Sequence, residues 1–160
     1  FILSYKPLFE APDVDSMPLF ENALALVVSK DHPLAKYKKI KLHELSDVAL
    51  VLPSHDLQAR MMLEKLMHGK DISLSSKLEL NETNILLQMV SAGSYATILS
   101  SSAVFGNSRF KAIPLDEPGN VMEASLLCLK GAYRKSAAKE FIKILLDTEA
   151  VKRRLVNWFD

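Results

Sequence analysis

The sequence contains one cysteine, Cys128, among 160 residues, so no disulfide can form within the chain. A lone cysteine favours a reducing compartment, and we expect a cytoplasmic protein. No run of about 18 apolar residues is present, so no transmembrane helix is expected. The first residues lack a basic segment followed by an apolar stretch, so no signal peptide is expected either. The net charge of +1 predicts no strong attraction to nucleic acid or to an anionic membrane.

Features of a catalytic or metal site are also scarce. The four histidines are dispersed, and no two of them have the spacing of a metal-binding pair: His32, His43, His55 and His68. The sequence has no Gly-rich phosphate loop and no Gly-x-Ser-x-Gly motif. Cys128 lies in an apolar segment, where a thiol normally packs and does not react. We therefore expect no enzyme activity, no metal and no cofactor.

The clearest pattern is a strand-helix-strand unit from Lys77 to Ser102. Alternating apolar residues over 77–80 predict a strand, and Asn81 is a good N-cap for the helix that follows. Gly93 stands where a helix ends on a residue with positive φ. The β-rich run 95–99 then predicts a second strand, which we expect to pair in parallel with the first through a right-handed crossover.

The rest of the chain also alternates between strands and helices. This order predicts an α/β domain with a mostly parallel sheet. The remaining strands are predicted at 1–5, 19–29, 48–52, 72–80, 110–113 and 121–129, the remaining helices at 57–68, 136–146 and 149–159, and single helical turns at 43–45 and 101–105. The helix faces predicted to be buried are Leu57, Met61, Leu63, Leu66 and Met67 on one helix, and Ala137, Phe141, Ile144 and Leu145 on another.

Several motifs, in this order and at this spacing, resemble the effector-binding domain of LysR-type transcriptional regulators. They are His32-Pro33-Leu34-Ala35 after an apolar strand, Val51-Leu52-Pro53-Ser54 before a helix with Arg60, Glu79 at the end of a strand, Val90-Ser91-Ala92-Gly93, and Ala96-Thr97-Ile98-Leu99. The chain departs from the family pattern at Tyr95, where a second glycine is usual, and at Ser100, where proline is usual. The resemblance extends from Leu19 to about Leu146.

The resemblance implies a periplasmic-binding-protein-like fold of type 2, with two lobes between which the chain crosses twice. Residues 22–123 would form one complete lobe, and residues 1–21 and 124–160 would form part of the other. In the family, a winged helix-turn-helix, a linker helix and roughly three strands precede this region. The resemblance therefore predicts a regulator truncated at its N-terminus.

Three loops at the ends of predicted strands are candidates for a ligand site: residues 53–57, 81–84 and 100–102. In open α/β sheets, ligands bind at the carboxyl ends of strands, near helix N-termini. The resemblance places the effector in the cleft between lobes, in contact with the first and third loops. The candidate ligand-binding residues are Ser54, His55, Asp56, Arg60, Ser100 and Ser101. The serines and Asp56 also fit a role as ordinary helix caps, and Arg60 fits an ion pair at the surface or between lobes.

Two function classes remain open. The resemblance favours a sensing domain that binds a small molecule, with carboxylates as the first candidates, and passes the change to DNA-binding heads outside this chain. It also implies homo-oligomers, with no membrane partner. The alternative is a solute-binding protein of a transporter, which shares the fold.

Overall fold

The computed structural model describes residues 1–6 and 11–148. Backbone contacts divide the chain into two compact units, the first formed by Phe1–Asn22 with Met122–Asp160 and the second by Ala23–Val121. The predicted complete lobe, 22–123, differs from the second unit by one residue at its start and two at its end. That these units correspond to the two lobes of the resembling family stays a prediction.

Eight strands, three α-helices and three short 3-10 helices make up the described residues. The strands are β1 (Ile2–Tyr5), β2 (Val14–Asn22), β3 (Leu24–Ser29), β4 (Leu50–Pro53), β5 (Ser76–Leu80), β6 (Thr97–Ser100), β7 (Phe110–Pro114) and β8 (Met122–Leu129). The α-helices are α1 (Gln58–Met67), α2 (Thr83–Ser91) and α3 (Ser136–Asp147), and the 3-10 helices are Pro33–Lys36, Leu42–Leu45 and Ser101–Val104. The helix predicted over 149–159 lies outside the described residues.

The first unit contains an antiparallel sheet in the order β1-β8-β2. The register of β2 against β8 shifts between Pro18 and Phe20, since proline cannot donate the N–H that a regular ladder needs. The buried side chains of this unit come from β2, β8 and α3: Leu19, Leu126, Cys128 and Ile142. Cys128 is therefore packed in the core, as its apolar segment predicted.

Helix α3 presents a different face from the one predicted. Ile142 is buried, whereas Phe141 is 45% exposed and Ile144 is 59% exposed. The ring of Phe141 stacks on Phe1, with centroids 5.4 Å apart. Leu145 packs against the core, so the predicted face was correct there and wrong at Phe141 and Ile144. Apolar residues occupy most of this helix, and the sequence does not show which stripe faces the sheet.

The second unit contains both parallel and antiparallel strands. Strand β3 pairs antiparallel with β6 and β7, and β4 pairs in parallel with β5. A parallel bridge joins β4 to the start of β6, with Val51 N donating to Ala96 O at 2.9 Å and Ala96 N donating to Ala49 O at 3.0 Å. The order across this unit is therefore β5-β4-β6-β3-β7, with β4, β5 and β6 running in the same direction.

Two strand predictions were wrong. The strand expected over 19–29 is interrupted at Ala23, and its halves, β2 and β3, belong to different units. Strand β6 does not pair with β5, because β4 lies between them. The sheet is also less parallel than expected, since both partners of β3 are antiparallel to it. Period-two alternation identifies a strand, but it does not identify its neighbours.

The core of the second unit lies between the sheet and the helices. One cluster consists of Val27, Val51, Leu86, Val90, Leu99, Val104 and Phe110. On α1, the buried residues are Met62, Leu63 and Leu66, so the predicted face was confirmed at Leu63 and Leu66 and missed Met62. The other predicted residues are half-buried: Leu57, Met61 and Met67.

Helix starts differ from the predictions, whereas the glycine at the end of α2 agrees with them. The N-caps of α1, α2 and α3 are Leu57, Glu82 and Lys135, and none makes a side-chain capping bond. The caps predicted from Ser54, Asp56 and Asn81 were therefore wrong. Gly93 has φ +89°, as its place after α2 predicted. Within 1–6 and 11–148, no helix is long and apolar enough to cross a membrane.

Candidate functional site

The three candidate loops lie at one edge of the sheet in the second unit. Strands β4, β5 and β6 are parallel, so their carboxyl ends meet at the same edge. The first loop contacts the end of β5 directly, with Ser54 N donating to Leu80 O at 2.9 Å. The third loop is fixed to the start of the unit, with Ser101 N donating to Ala23 O at 3.0 Å. The topology thus brings together loops that are separated in the sequence.

Ser54 and Asp56 have polar side chains that the fold does not use. Since Leu57 is the N-cap of α1, neither residue caps the helix. Neither side chain has a hydrogen-bonding partner within the described part of the chain, and Asp56 is exposed. A hydroxyl and a carboxylate without partners, beside the first turn of a helix, are available to bind a ligand.

The third loop contributes hydroxyl groups. Ser100 Oγ and Ser102 Oγ lie 3.0 Å apart and share one hydrogen bond. Ser101, which begins the 3-10 helix, is buried with 4% exposure. A ligand hydroxyl or amide can therefore meet both donor and acceptor groups on this loop.

Arg60 and His55 belong to a network with two glutamates. Arg60 Nε lies 3.0 Å from Glu64 Oε1, and Arg60 Nη1 lies 2.8 Å from Glu79 Oε1. His55 Nδ1 lies 2.5 Å from Glu64 Oε1, and His55 Nε2 lies 3.4 Å from Glu79 Oε2. The side chain of Arg60 is 13% exposed, and that of His55 is 63% exposed. Of the two uses that the sequence left open for Arg60, the structure shows the ion pair.

Sequence reasoning missed the role of two residues at this edge and of one beneath it. Glu64 stands four residues after Arg60, the spacing of a helical ion pair, and this signal was available. Glu79 was noted only as the end of a strand. Asn120 was not singled out at all, because its partners are 96 residues away and 5 residues away along the chain.

Two groups in the second unit have lowered pKa values. Burial raises the pKa of Glu117, but hydrogen bonds from Lys70 and from the N–H of Leu42 outweigh it, so the pKa lies below the ordinary value. Glu117 Oε2 lies 2.5 Å from Lys70 Nζ, and its side chain is 8% exposed. Burial lowers the pKa of His32, whose Nδ1 accepts a hydrogen bond from Leu34 N at 3.1 Å. No group of His, Cys, Asp and Glu in the described ranges could hold a metal ion.

The comparisons with known proteins agree with this architecture. The family model for the LysR substrate binding domain matches residues 1–150. The HTH-type transcriptional activator CmpR of Synechocystis sp. is 28% identical over 88 residues, which is 55% of this chain and 29% of CmpR. The uncharacterized HTH-type transcriptional regulator YbhD of Escherichia coli is 26% identical over 136 residues, which is 84% of this chain and 43% of YbhD.

Two solved structures are similar over most of the chain. The effector binding domain of QuiR in complex with shikimate has a TM-score of 0.73 at 25% identity, covering 91% of this chain and 68% of that one. The regulatory domain of Synechocystis CcmR in complex with 2-PG has a TM-score of 0.78 at 22% identity, covering 90% of this chain and 70% of that one.

The chain therefore belongs to the LysR substrate-binding domain family, and its fold is the periplasmic-binding-protein-like α/β fold of the effector-binding domains. It spans less than half the length of the curated regulators described above.

Proposed function

We propose that this chain is the effector-binding domain of a transcription regulator, and that it binds a small molecule at the edge where β4, β5 and β6 end. The observation that carries the proposal is the pair of unused polar groups on Ser54 and Asp56. Supporting it, QuiR, which is 25% identical, is described in complex with shikimate. The proposed site is lined by Ser54, His55, Asp56, Arg60, Ser100 and Ser101.

The proposed mechanism is a shift between conformations of the regulator. An effector changes such an equilibrium only by the difference between its affinities for the two states. The hydroxyls of Ser54 and Ser100 and the carboxylate of Asp56 would supply this difference if one state brings them closer to the ligand. The names of the curated relatives favour a regulator over a transporter's solute-binding protein, and over an enzyme.

A ligand screen with matched variants tests the proposal. In a thermal-shift screen against small metabolites, shikimate included, a true effector at 100 times its Kd stabilises the protein by about 2.7 kcal/mol. We expect Ser54→Ala and Asp56→Asn to weaken binding by about tenfold, because each loses a direct contact. Ser91→Ala is the control, since Ser91 is an exposed serine at the far end of α2. The proposal is contradicted if no metabolite stabilises the protein. It is also contradicted if a ligand binds both site variants as tightly as it binds the native chain.

DNA binding is proposed to belong to another part of the full-length protein. CmpR and YbhD are named as HTH-type regulators, and this chain covers 29% and 43% of their lengths. With a net charge of +1, the chain itself should not bind DNA specifically. A gel shift showing submicromolar affinity at physiological salt would contradict this. The full-length regulator would then act in the cytoplasm, where its DNA is.

We also propose that the chain self-associates. Several large apolar side chains of the first unit are exposed: Phe1, Ile2, Leu3, Leu129, Phe141 and Ile144. Phe1 and Phe141 stack on each other, so part of this surface is continuous, and large exposed apolar patches mark interaction sites. We expect sedimentation equilibrium at micromolar concentration to show a dimer or larger species. A monomer with little binding of a dye for exposed apolar surface is the contrary result.

A further inference from the structure

The guanidinium of Arg60 has almost no capacity left for a ligand. It has five N–H donors. Nε donates to Glu64, Nη1 lies 2.8 Å from Glu79 Oε1 and 3.5 Å from Pro53 O, and Nη2 lies 3.3 Å from His55 Nε2. Four of the five donors therefore have partners. The same contacts join helix α1 to strand β5 and to the last residue of β4.

His55 completes the network on the solvent side. When the ring is neutral with its proton on Nδ1, it donates to Glu64 Oε1 and accepts from Arg60 Nη2. In this tautomer each ring nitrogen has a hydrogen-bonding partner, while Nε2 also lies 3.4 Å from Glu79 Oε2, and the contacts hold the loop between β4 and α1. A ligand carboxylate could reach Arg60 only by displacing a glutamate that Arg60 already pairs with.

The charge at this edge also opposes an anion. Four carboxylates, from the first loop, α1, β5 and the N-cap of α2, stand against the single guanidinium of Arg60: Asp56, Glu64, Glu79 and Glu82. With a neutral His55, the formal charge there is −3, whereas the whole chain has a net charge of +1. Like charges in a partly solvated site repel an incoming carboxylate.

We propose that Arg60 is a positioning residue that ties α1 to β5, and that this edge of the second unit binds an uncharged or cationic group of the effector, not its carboxylate. The location of the site rests on the proposed function. The inference replaces carboxylate recognition by Arg60 with recognition by Ser54, Asp56 and Ser100, whose oxygens suit a hydroxyl, an amide or an ammonium group.

Side-chain NMR of Arg60 in the 160-residue chain tests the inference with shikimate as the carboxylate probe. The Nε–Hε resonance is assigned by its loss in Arg60→Lys. We expect millimolar shikimate to leave this resonance unmoved in the native chain. In a Glu64→Gln, Glu79→Gln double variant, we expect a saturable shift and binding tighter by about tenfold or more, because the guanidinium loses both anionic partners and keeps only neutral acceptors that a carboxylate can displace. The control, Asp31→Asn with Asp71→Asn, removes the same charge from exposed residues outside the network.

Every outcome of this titration decides the inference. A saturable shift in the native chain overturns it, as does a double variant whose resonance stays unmoved. A control that gains binding equal to that of the double variant also overturns it, because net charge alone would then be the cause. The proposed function fails on a different result, namely a metabolite screen with no ligand sensitive to Ser54 or Asp56.

The positioning role has a separate spectroscopic readout. If Arg60 holds the Nδ1–H tautomer of His55, then Arg60→Gln changes the ring nitrogen shifts of His55, whereas the control pair leaves them as they are. Unchanged ring shifts in Arg60→Gln, in a variant that remains folded, overturn the positioning role. A variant that does not fold is replaced by Glu79→Gln, which removes the charge from one partner of Arg60 and leaves the packing in place.

Discussion

Asn120 joins two strand ends in the second unit, and its replacement should cost a large share of the stability. Its Oδ1 accepts a hydrogen bond from Leu24 N at 2.8 Å. Its Nδ2 donates to Leu24 O and to Leu115 O, both at 2.9 Å. The residue is 9% exposed, so water does not easily replace these bonds. Asn120 therefore satisfies the backbone at the start of β3 and just after β7.

The magnitude follows from what each partner keeps in Asn120→Ala. Leu24 O still accepts from Leu115 N at 3.2 Å, and Leu115 O still accepts from Glu117 N at 3.0 Å. Only Leu24 N–H is left buried without a partner. Three lost bonds at about 1 kcal/mol each, one of them leaving an orphaned donor, give a loss of roughly 3 kcal/mol in the free energy of unfolding.

Urea unfolding followed by circular dichroism measures this loss. Asn120→Asp should destabilise at least as much at neutral pH, because a carboxylate keeps the acceptor for Leu24 N but faces two carbonyl oxygens without a donor. Asn107→Ala is the matched control, since within the described residues the side chain of Asn107 bonds only the nearby Arg109, at 3.3 and 3.4 Å. A loss below about 1 kcal/mol for Asn120→Ala, or an equal loss for Asn107→Ala, would refute the reasoning.

Three further predictions concern backbone strain and pH. Gly93→Ala should destabilise by about 1 kcal/mol in urea unfolding through its φ of +89° alone, because no atom lies within 4 Å of the added Cβ; an unchanged midpoint contradicts this. His32→Asn keeps an acceptor for Leu34 N–H and should lose less stability on acidification than the native chain. The reason is that the lowered pKa of His32 stabilises the folded chain, and this stabilisation disappears as pH falls through the folded-state pKa. Glu117→Gln should cost about 2 kcal/mol at neutral pH by removing the ion pair with Lys70. Because the pKa of Glu117 is lowered, this difference should shrink as pH falls through the folded-state pKa, and a constant difference across an acid titration would contradict the assignment.

The sequence alone predicted those features that depend on neighbouring residues. The strand near the N-terminus, the strand over 110–113, and the turn that begins at Ser101 were confirmed, as was the positive φ of Gly93. These features follow from side-chain alternation and from the backbone freedom of single residues, which a linear pattern contains. The order of several weak motifs also indicated the family, and the family model confirms it.

Tertiary structure decided the strand neighbours and the side-chain partners, because these interactions are between residues far apart in the chain. Strand β4 pairs with Ala96 and with β5, so it separates two strands that were expected to be neighbours. Arg60 on α1 pairs with Glu79 on β5, 19 residues further along the chain, so part of its guanidinium is already engaged. Asn120 bonds Leu24 because the chain of the second unit returns to the place where it began, 96 residues earlier. Hydrogen bonds and ion pairs of this kind depend on distance in space, and a pattern of residue types along the chain does not contain that distance.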